Sequence, residues 1–347
     1  MVKIALDAFG SDNAPNPEIL GAVEELKSDN NLEVILVGDE KILSETIGKL
    51  DCSDAVLKRL KISNASEQIT MKDSPSSIVR NKRDSSLRIA YELVHSKEAD
   101  AVLSAGNTGA SLAIAMFVLK RLKGIDRPAI ATVMPSVGGH TVLLDAGANV
   151  DVKPYHLAQF AIMGSEYASF IKRIDTPIVG LLSNGEEESK GNELTREAFK
   201  IIKKIDINFL GYVEGREIFN GKADVVVCDG FTGNVILKSS ETLAETIFKL
   251  LREEVNKSIM AKLGVLLASK ALKNFKKLVD HNEYGGAPLL GINGVGFIAH
   301  GGASPKAIAS GIRMAKRFVE QEINLKISEK IELNVEAINN NKEAKIA

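Results

Sequence analysis

The chain repeats one pattern, a short aliphatic run that ends in Gly or Asp and is followed by a segment with helical periodicity. The clearest aliphatic runs are KIALDAFG, LEVILVGD, ADAVLSAG, HTVLLDAG, TPIVGLLSNG and ADVVVCDG. Continuous apolar strands that alternate with amphipathic helices are typical of a mostly parallel sheet covered on both faces. The pattern therefore predicts an α/β fold, with ligands bound outside the carboxyl ends of the strands.

Apolar positions with a period near 3.6 residues predict seven helices. They span residues 16–27, 41–50, 85–96, 107–122, 154–172, 193–204 and 305–320. Pro154 and Pro305 suit the first turn of a helix, where the missing N–H costs nothing. Beyond residue 323 few large apolar residues remain, so we expect one α/β unit over residues 1–325 and a frayed polar tail over residues 326–347.

Composition narrows the class of protein. The formal net charge is −1, which argues against nucleic acid as a partner of the whole protein. Cys52 and Cys228 form neither a disulfide framework nor a metal-binding spacing, and the five histidines show no metal spacing either. Lys3 and Asp7 interrupt the first apolar run, unlike a signal peptide. We expect a cytoplasmic protein without a metal.

The turn SAGNTGA follows the strand that ends near Ser104. Gly106 and Gly109 permit close approach of a ligand, and Asn107 or Thr108 can begin the next helix. A helix N-terminus offers unpaired N–H groups and a favourable dipole, which suit an anion such as phosphate. An ordinary strand-to-helix turn needs the same small residues, so this turn alone leaves both interpretations open.

The segment CDGFTGNVILK repeats this design. Asp229 ends the strand, and Thr232, Gly233 and Asn234 open a long helix. Lys238 lies one turn further, from where a lysine can reach back to an anion or simply remain solvated. Two such turns strengthen the prediction of an anion site.

Three further segments contain candidate ligand contacts. In LDAGAN, Asp145 and Asn149 either orient a ligand or cap the turn. In SNGEEESKGNELT, Lys190 and Asn192 contact an anionic substrate if the segment is a lid, whereas a solvated loop is the alternative. The glycine-rich segment 281–308 contains His300 just before the last predicted helix.

Several common motifs are absent from the sequence. There is no P-loop, no G-x-S-x-G elbow and no H-E-x-x-H. Gly294, Gly296 and Ala299 match the dinucleotide pattern, but they do not open a helix at the third position. A nicotinamide-linked dehydrogenase is therefore disfavoured.

Residues 256–279 form a basic amphipathic stretch with six lysines and no acidic residue, broken near Gly264. Such stretches bind anionic membrane surfaces or acidic partners, and a pair of surface helices with solvated lysines is the alternative. The candidate docking residues are Lys257, Lys262, Leu263, Leu266, Lys270, Lys273, Lys276 and Lys277.

Taken in order, ten segments resemble the bacterial phosphate acyltransferases of phospholipid synthesis over roughly residues 1–325. They are DAFGSDNAP, SAGNTGA, GIDRPA, LDAGAN, KPYHLAQFAIMG, EEESKGNELT, VEGREI, DGFTGN, YGGAPLLGINGV and AHGG. The resemblance implies transfer of a fatty acyl group from acyl carrier protein to inorganic phosphate. The acyl phosphate formed then serves glycerol-3-phosphate acylation.

The resemblance also implies a three-layer α/β/α fold similar to isocitrate dehydrogenases and phosphotransacetylases. Two interleaved lobes, with boundaries near residues 130 and 290, and a homodimer without a cofactor are expected. The protein would lie on the inner face of the cell membrane, near a membrane-bound glycerol-3-phosphate acyltransferase. The sequence departs from the family pattern at Phe9 and Ser11, at Ser183–Asn184, and at Gly302 and Ala303.

Such a reaction requires a site that holds a phosphate dianion and stabilises an oxyanion, while the thiolate leaves readily. We expect Asn107, Thr108, Thr232, Asn234 and Lys238 to contact phosphate or carbonyl. His300 and Asp229 are candidates for acid, base or orienting roles. The alternatives are a phosphotransacetylase-like enzyme that acts on acyl-CoA, and a noncatalytic acyl-carrier or membrane-binding regulator.

Overall fold

The computed structural model describes residues 1–70, 73, 75–279 and 285–343. Within these residues eleven strands form one sheet in the order β3-β2-β1-β4-β11-β10-β5-β6-β9-β7-β8. The strands are β1 (Val2–Asp7), β2 (Leu32–Gly38), β3 (Leu60–Asn64), β4 (Ala101–Ser104), β5 (Ala129–Ser136), β6 (Gly139–Leu144), β7 (Val179–Leu182), β8 (Phe209–Val213), β9 (Val225–Val227), β10 (Ala287–Leu290) and β11 (Val295–Ile298).

Most neighbouring strands are parallel, as predicted. The antiparallel pairs are β11/β10, β10/β5 and β5/β6, which lie between two parallel halves of the sheet. Alternate residues of β1 point to opposite faces, since Ile4 and Leu6 belong to one buried cluster and Ala5 to another. The α/β prediction is confirmed, with helices on both faces of the sheet.

The helices are α1 (Asn16–Ser28), α2 (Glu40–Ile47), α3 (Asp54–Leu57), α4 (Pro75–Asn81), α5 (Ser86–His95), α6 (Thr108–Val118), α7 (Pro154–Lys172), α8 (Glu193–Ile202), α9 (Glu217–Asn220), α10 (Gly230–Asn256), α11 (Ile259–Leu267), α12 (Ser269–Val279), α13 (Pro305–Glu320), α14 (Ile323–Leu333) and α15 (Val335–Glu343). All seven predicted helices are present, and α7 and α13 have the predicted bounds. The helix predicted to end at residue 122 ends at Val118, and Lys120 has a positive φ of 65°.

The prediction of a frayed tail is wrong for residues 326–343, which belong to α14 and α15. Ile323, Ile327 and Ile331 recur every four residues and therefore share one helix face. Each is at most 2% exposed, and this face packs against α7. Leu325 and Leu333 of the same helix are exposed, so the buried isoleucine face is what anchors α14. Residues 344–347 of the predicted tail lie outside the described residues.

The basic segment consists of the end of α10 followed by α11 and α12. The break between the last two helices is at Ala268, whereas Gly264 lies inside α11, so the predicted break near Gly264 is wrong. Leu263 and Leu266 are 52% and 69% exposed, so this part of the chain presents apolar side chains to its surroundings. No described helix is long and apolar enough to cross a membrane.

Candidate active site

The turn after β6 is built around the buried carboxylate of Asp145. Its Oδ1 accepts hydrogen bonds from the backbone N–H groups of Ile130, Gly147 and Ala148 at 2.9–3.1 Å. Its Oδ2 accepts from the backbone N–H and the Nδ2 of Asn149 at 2.7 and 2.8 Å. Burial raises the pKa of Asp145, and these hydrogen bonds oppose that shift. The contacts are those of a residue that caps its own turn.

Asn149 is also used in hydrogen bonds within the protein. Its Nδ2 also donates to the carbonyl oxygen of Pro128 at 2.7 Å, and its own carbonyl oxygen accepts from the N–H of Gly230 at 2.7 Å. The second bond joins the turn after β6 to the start of α10. The side chains of Asp145 and Asn149 therefore lie beneath the surface that a ligand would touch.

Two glycines of α10 allow the start of this helix to lie close to the turn after β6. A Cβ added to Gly233 would lie 1.9 Å from the carbonyl oxygen of Asp145, and one added to Gly230 would lie 2.7 Å from the backbone of Asn149. Asp229 caps the helix, since its Oδ1 accepts from the N–H of Thr232 and its Oδ2 from the Thr232 hydroxyl, both at 2.8 Å. The first turn of α10 is thus held against the turn after β6.

A cleft of about 400 Å³ opens beside these turns, and we call it the Lys238 cleft. It brings together five predicted site residues from three distant segments: Thr108, Gly109, Asn234, Lys238 and His300. Its apolar lining includes Leu112, Ile130, Val133, Leu237, Ala287 and Ile298, and Glu241 also lines it. The cleft therefore combines a cationic side chain and an imidazole with a hydrophobic wall.

His300 is oriented by the backbone of its own turn. Its Nδ1 accepts a hydrogen bond from the N–H of Gly302 at 3.1 Å, which places the proton of the neutral ring on Nε2. The turn is also held from outside, because the N–H of Asp12 donates to the carbonyl oxygen of Gly301 at 2.9 Å. Gly302 and Ala303, where the sequence departs from the pattern of the family it resembles, contribute no side-chain hydroxyl to this turn.

The turn SAGNTGA divides its residues between the cleft and the interior. Asn107 caps α6, with its Oδ1 accepting from the N–H of Ala110 at 3.0 Å. The buried Ser104 hydroxyl donates to Asp7 Oδ2 at 2.7 Å and accepts from the N–H of Gly106 at 3.1 Å. Thr108 and Gly109 remain as the residues of this turn that line the cleft.

Asp7 is a structural residue that the sequence reasoning missed. Its carboxylate is 2% exposed and accepts from the hydroxyls of Ser86 and Ser104 at 2.6 and 2.7 Å. Burial raises its pKa, and the hydroxyl contacts oppose that shift. The feature of the sequence that could have identified Asp7 is its position, since Asp7, Asp145 and Asp229 all lie at or just past the end of a strand.

Ser11 replaces a glycine of the family pattern without a backbone penalty, because it is not among the residues with positive φ. Its N–H donates to Glu18 Oε1 at 3.2 Å. Glu18 is fully buried, and burial raises the pKa of its carboxyl group. The departure at this position therefore leaves the N-terminal loop anchored.

The other predicted residues lie on the far side of the first turn of α10. Asn192, Asp229 and Thr232 line a second cleft of about 510 Å³, which we call the Asn192 cleft. Lys190 is exposed and lines neither cleft. The structure thus separates the residues that were predicted to share one phosphate site. Residues 281–284, at the start of the glycine-rich segment, lie outside the described residues.

The fold places this chain in the α/β class. It is similar to the EutD phosphotransacetylase of Staphylococcus aureus, with a TM-score of 0.60 and 17% identity over 91% of this chain and 94% of that chain. It is also similar to a phosphotransacetylase of Streptococcus pyogenes, with a TM-score of 0.59 and 19% identity over 95% of this chain and 94% of that chain. These likenesses establish the fold.

Sequence comparison identifies the family within this class. Residues 2–326 match the model of the family described as fatty acid synthesis protein. The chain is 53% identical to the phosphate acyltransferase of Geotalea uraniireducens (strain Rf4), over 96% of this chain and 95% of that protein. It is 54% identical to that of Citrifermentans bemidjiense, over 95% and 93%. The chain therefore belongs to the phosphate acyltransferase family and is an acyltransferase.

Proposed function

We propose that this enzyme transfers a fatty acyl group from the thioester of acyl carrier protein to inorganic phosphate. A phosphate oxygen attacks the thioester carbonyl carbon, the new C–O bond forms, and the C–S bond breaks. The products are an acyl phosphate and a thiolate that takes up a proton from solvent. The proposal is supported by family membership and by the chemistry of the Lys238 cleft.

The observation that carries the proposal is the pairing of an anion-binding end with an apolar wall in the Lys238 cleft. The first intrahelical bond of α6 joins the N–H of Ser111 to the carbonyl oxygen of Asn107. The N–H groups of Thr108 and Gly109 therefore lie at the positive end of the helix dipole. With the Lys238 ammonium, they provide donors for a phosphate dianion.

Positioning and electrostatics suffice for this reaction, because phosphate is itself the nucleophile and a thiolate is a good leaving group. We assign to His300 Nε2–H the role of donor to the oxyanion that develops on the carbonyl. Asp229 is a positioning residue, since both of its carboxylate oxygens cap α10. The apolar wall, including Leu112 and Ile298, is suited to the first methylenes of the acyl chain.

We propose that the basic segment formed by α11, α12 and the end of α10 is a docking element. Residues 256–279 contain six lysines and no acidic residue, and Lys257 at their start pairs with Glu254 of α10 at 2.5 Å. Exposed Ile259 and Met260 accompany them. Contact with acidic carrier protein or with the inner membrane surface would bring the enzyme to its donor and to the acyltransferase that consumes its product. A homodimer is part of the same proposal.

The test is release of free thiol from palmitoyl-acyl carrier protein, with and without phosphate, together with detection of acyl phosphate by mass spectrometry. Palmitoyl-CoA is assayed in parallel. Phosphate-dependent release with a preference for the carrier protein supports the proposal. Preference for CoA would assign a phosphotransacetylase-like activity, and no release from either donor by folded protein would favour a noncatalytic binding protein.

A further inference from the structure

The Asn192 cleft and the Lys238 cleft share one helix turn. Thr232 and Ile236 are four residues apart on α10 and face the Asn192 cleft. Asn234 and Lys238 are likewise four residues apart and face the Lys238 cleft. The two clefts therefore flank the same turn, at the carboxyl ends of neighbouring strands.

The two clefts differ in charge. The polar lining of the Asn192 cleft consists of amide and hydroxyl side chains, among them Ser183, Asn184 and Thr195. Its ionisable side chains are Asp229, whose oxygens both accept from Thr232, and Cys228, whose thiol pKa is raised by burial. Among the described residues no cation lines this cleft. An uncharged ligand with amide or hydroxyl groups fits it better than phosphate.

Two hydroxyl side chains flank Gly191 at the wall of the Asn192 cleft. A Cβ added to Gly191 would lie 2.3 Å from the Thr195 hydroxyl oxygen and 3.3 Å from the Ser183 hydroxyl oxygen. Gly191, Ser183 and Thr195 all line the cleft. The absence of a side chain at position 191 therefore leaves both hydroxyls within reach of the amide groups of a ligand.

The loop over the Asn192 cleft is held in place from several sides. Glu186 pairs with Arg216 and Lys222, both at 3.1 Å, and Glu188 pairs with Lys203 at 2.9 Å. The Oδ1 of Asn184 accepts from the N–H of Gly191 at 2.9 Å. The acidic run, for which a solvated loop and a lid were the two interpretations, thus forms ion pairs that hold the loop beside the cleft.

We propose that the Asn192 cleft binds the pantetheine arm of the acyl donor, an uncharged chain with two amides and a hydroxyl, while phosphate occupies the Lys238 cleft. The inference rests on the proposed function and specifies its donor subsite. Leu157, Leu182 and Ile236 supply the apolar surface against which such an arm packs. The side chains of Ser183, Asn184 and Asn192 line the cleft beside this surface and are the polar contacts available to the arm.

Two substitutions test the proposal with little risk to folding. Ser183→Ala removes a hydroxyl that lines the cleft, and Ser44→Ala is the matched control, because Ser44 is exposed on α2 and lines neither cleft. Gly215→Leu places a side chain in the cleft, and a Cβ there meets nothing within 4 Å. Thermal unfolding verifies that each variant is folded.

Initial rates are measured against acyl carrier protein and against phosphate separately. We expect Ser183→Ala to raise the KM for the acyl donor about 3- to 10-fold, and Gly215→Leu to raise it about tenfold or more. The KM for phosphate and both constants of Ser44→Ala should stay within about twofold. An unchanged donor KM in Gly215→Leu, or an equal rise in the phosphate KM, would overturn the proposal.

Binding of free pantetheine, measured by calorimetry, separates this inference from the proposed function. If the wild-type protein shows no turnover, the proposed function fails, whereas pantetheine binding that Gly215→Leu abolishes would still support the cleft. Turnover by the wild-type protein with pantetheine binding that survives in Gly215→Leu would leave the function standing and refute the cleft assignment.

Discussion

Gly233 lies so close to Asp145 that a Cβ on the glycine would be 1.9 Å from the aspartate carbonyl oxygen. This contact sets the position of α10, and with it the position of Asn234 and Lys238, relative to the turn after β6. A backbone atom cannot move aside as a flexible side chain can. The site geometry therefore depends on the absence of a single methyl group.

Gly233→Ala should destabilise the protein by about 3 kcal/mol, because the two backbones must separate. Gly264→Ala is the matched control, since a Cβ there meets nothing within 4 Å and alanine favours the helix interior. It should stabilise the protein by up to about 1 kcal/mol. Urea unfolding of both variants gives the comparison, and equal stabilities would contradict the packing described here.

Ile327→Ala should cost about 2–5 kcal/mol, because Ile327 is fully buried in the core at the α14–α7 contact. Leu325 lies on the same helix and is 52% exposed, so Leu325→Ala should change the free energy of unfolding by less than about 0.5 kcal/mol. If denaturant unfolding gave the two variants the same stability, α14 would not be part of the core.

Asp7→Asn should change how stability depends on pH. Burial raises the folded-state pKa of Asp7 above its unfolded value, so the native protein binds the extra proton in the interval between the two. The stability that this group contributes is present below the unfolded pKa and is lost as pH rises through the folded pKa.

The free energies of unfolding of wild type and Asp7→Asn are therefore measured from pH 4 upward. The wild type should lose stability relative to the variant as pH rises. Asp84→Asn is the control, and the effect of pH on its stability difference from wild type should have the opposite sign. Hydrogen bonds from Ser66 lower the pKa of Asp84, whereas burial raises that of Asp7. A constant difference between wild type and Asp7→Asn would show that Asp7 keeps one protonation state in both the folded and the unfolded protein.

Lys238→Ala should lower kcat/KM for phosphate by about 10- to 100-fold, because it removes the ammonium from the anion-binding end of the Lys238 cleft. Lys249→Ala, an exposed lysine further along α10, is the control for a general loss of charge. Initial rates against phosphate at fixed ionic strength are the measurement. Equal effects of the two substitutions would place the phosphate elsewhere.

His300→Ala should lower kcat by about 10²- to 10³-fold if the imidazole stabilises the oxyanion. His300→Asn keeps an oxygen near the position of Nδ1, where it can accept from the N–H of Gly302, but it lacks a donor at the position of Nε2. Stopped assays of thiol release should find it nearly as inactive as His300→Ala. Full activity of His300→Asn would show that His300 holds its turn and does not stabilise the oxyanion.

The sequence by itself determined the α/β class, seven helices and the strand-end turns from which the site is built. These features depend on local periodicity and on residues such as Pro154 and Pro305, whose effect is confined to their own helix turn. The bounds of α7 and α13 were predicted for this reason.

The tertiary structure decided which strand-end residues face a ligand. Ser104 bonds Asp7, 97 residues away, and Asn149 bonds the start of α10, so both are used in joining segments. The same packing divides Asn192 and Thr232 from Lys238 and His300. Hydrogen-bond partners of buried polar groups depend on strand order and on how closely two turns approach, and neither is encoded in local periodicity.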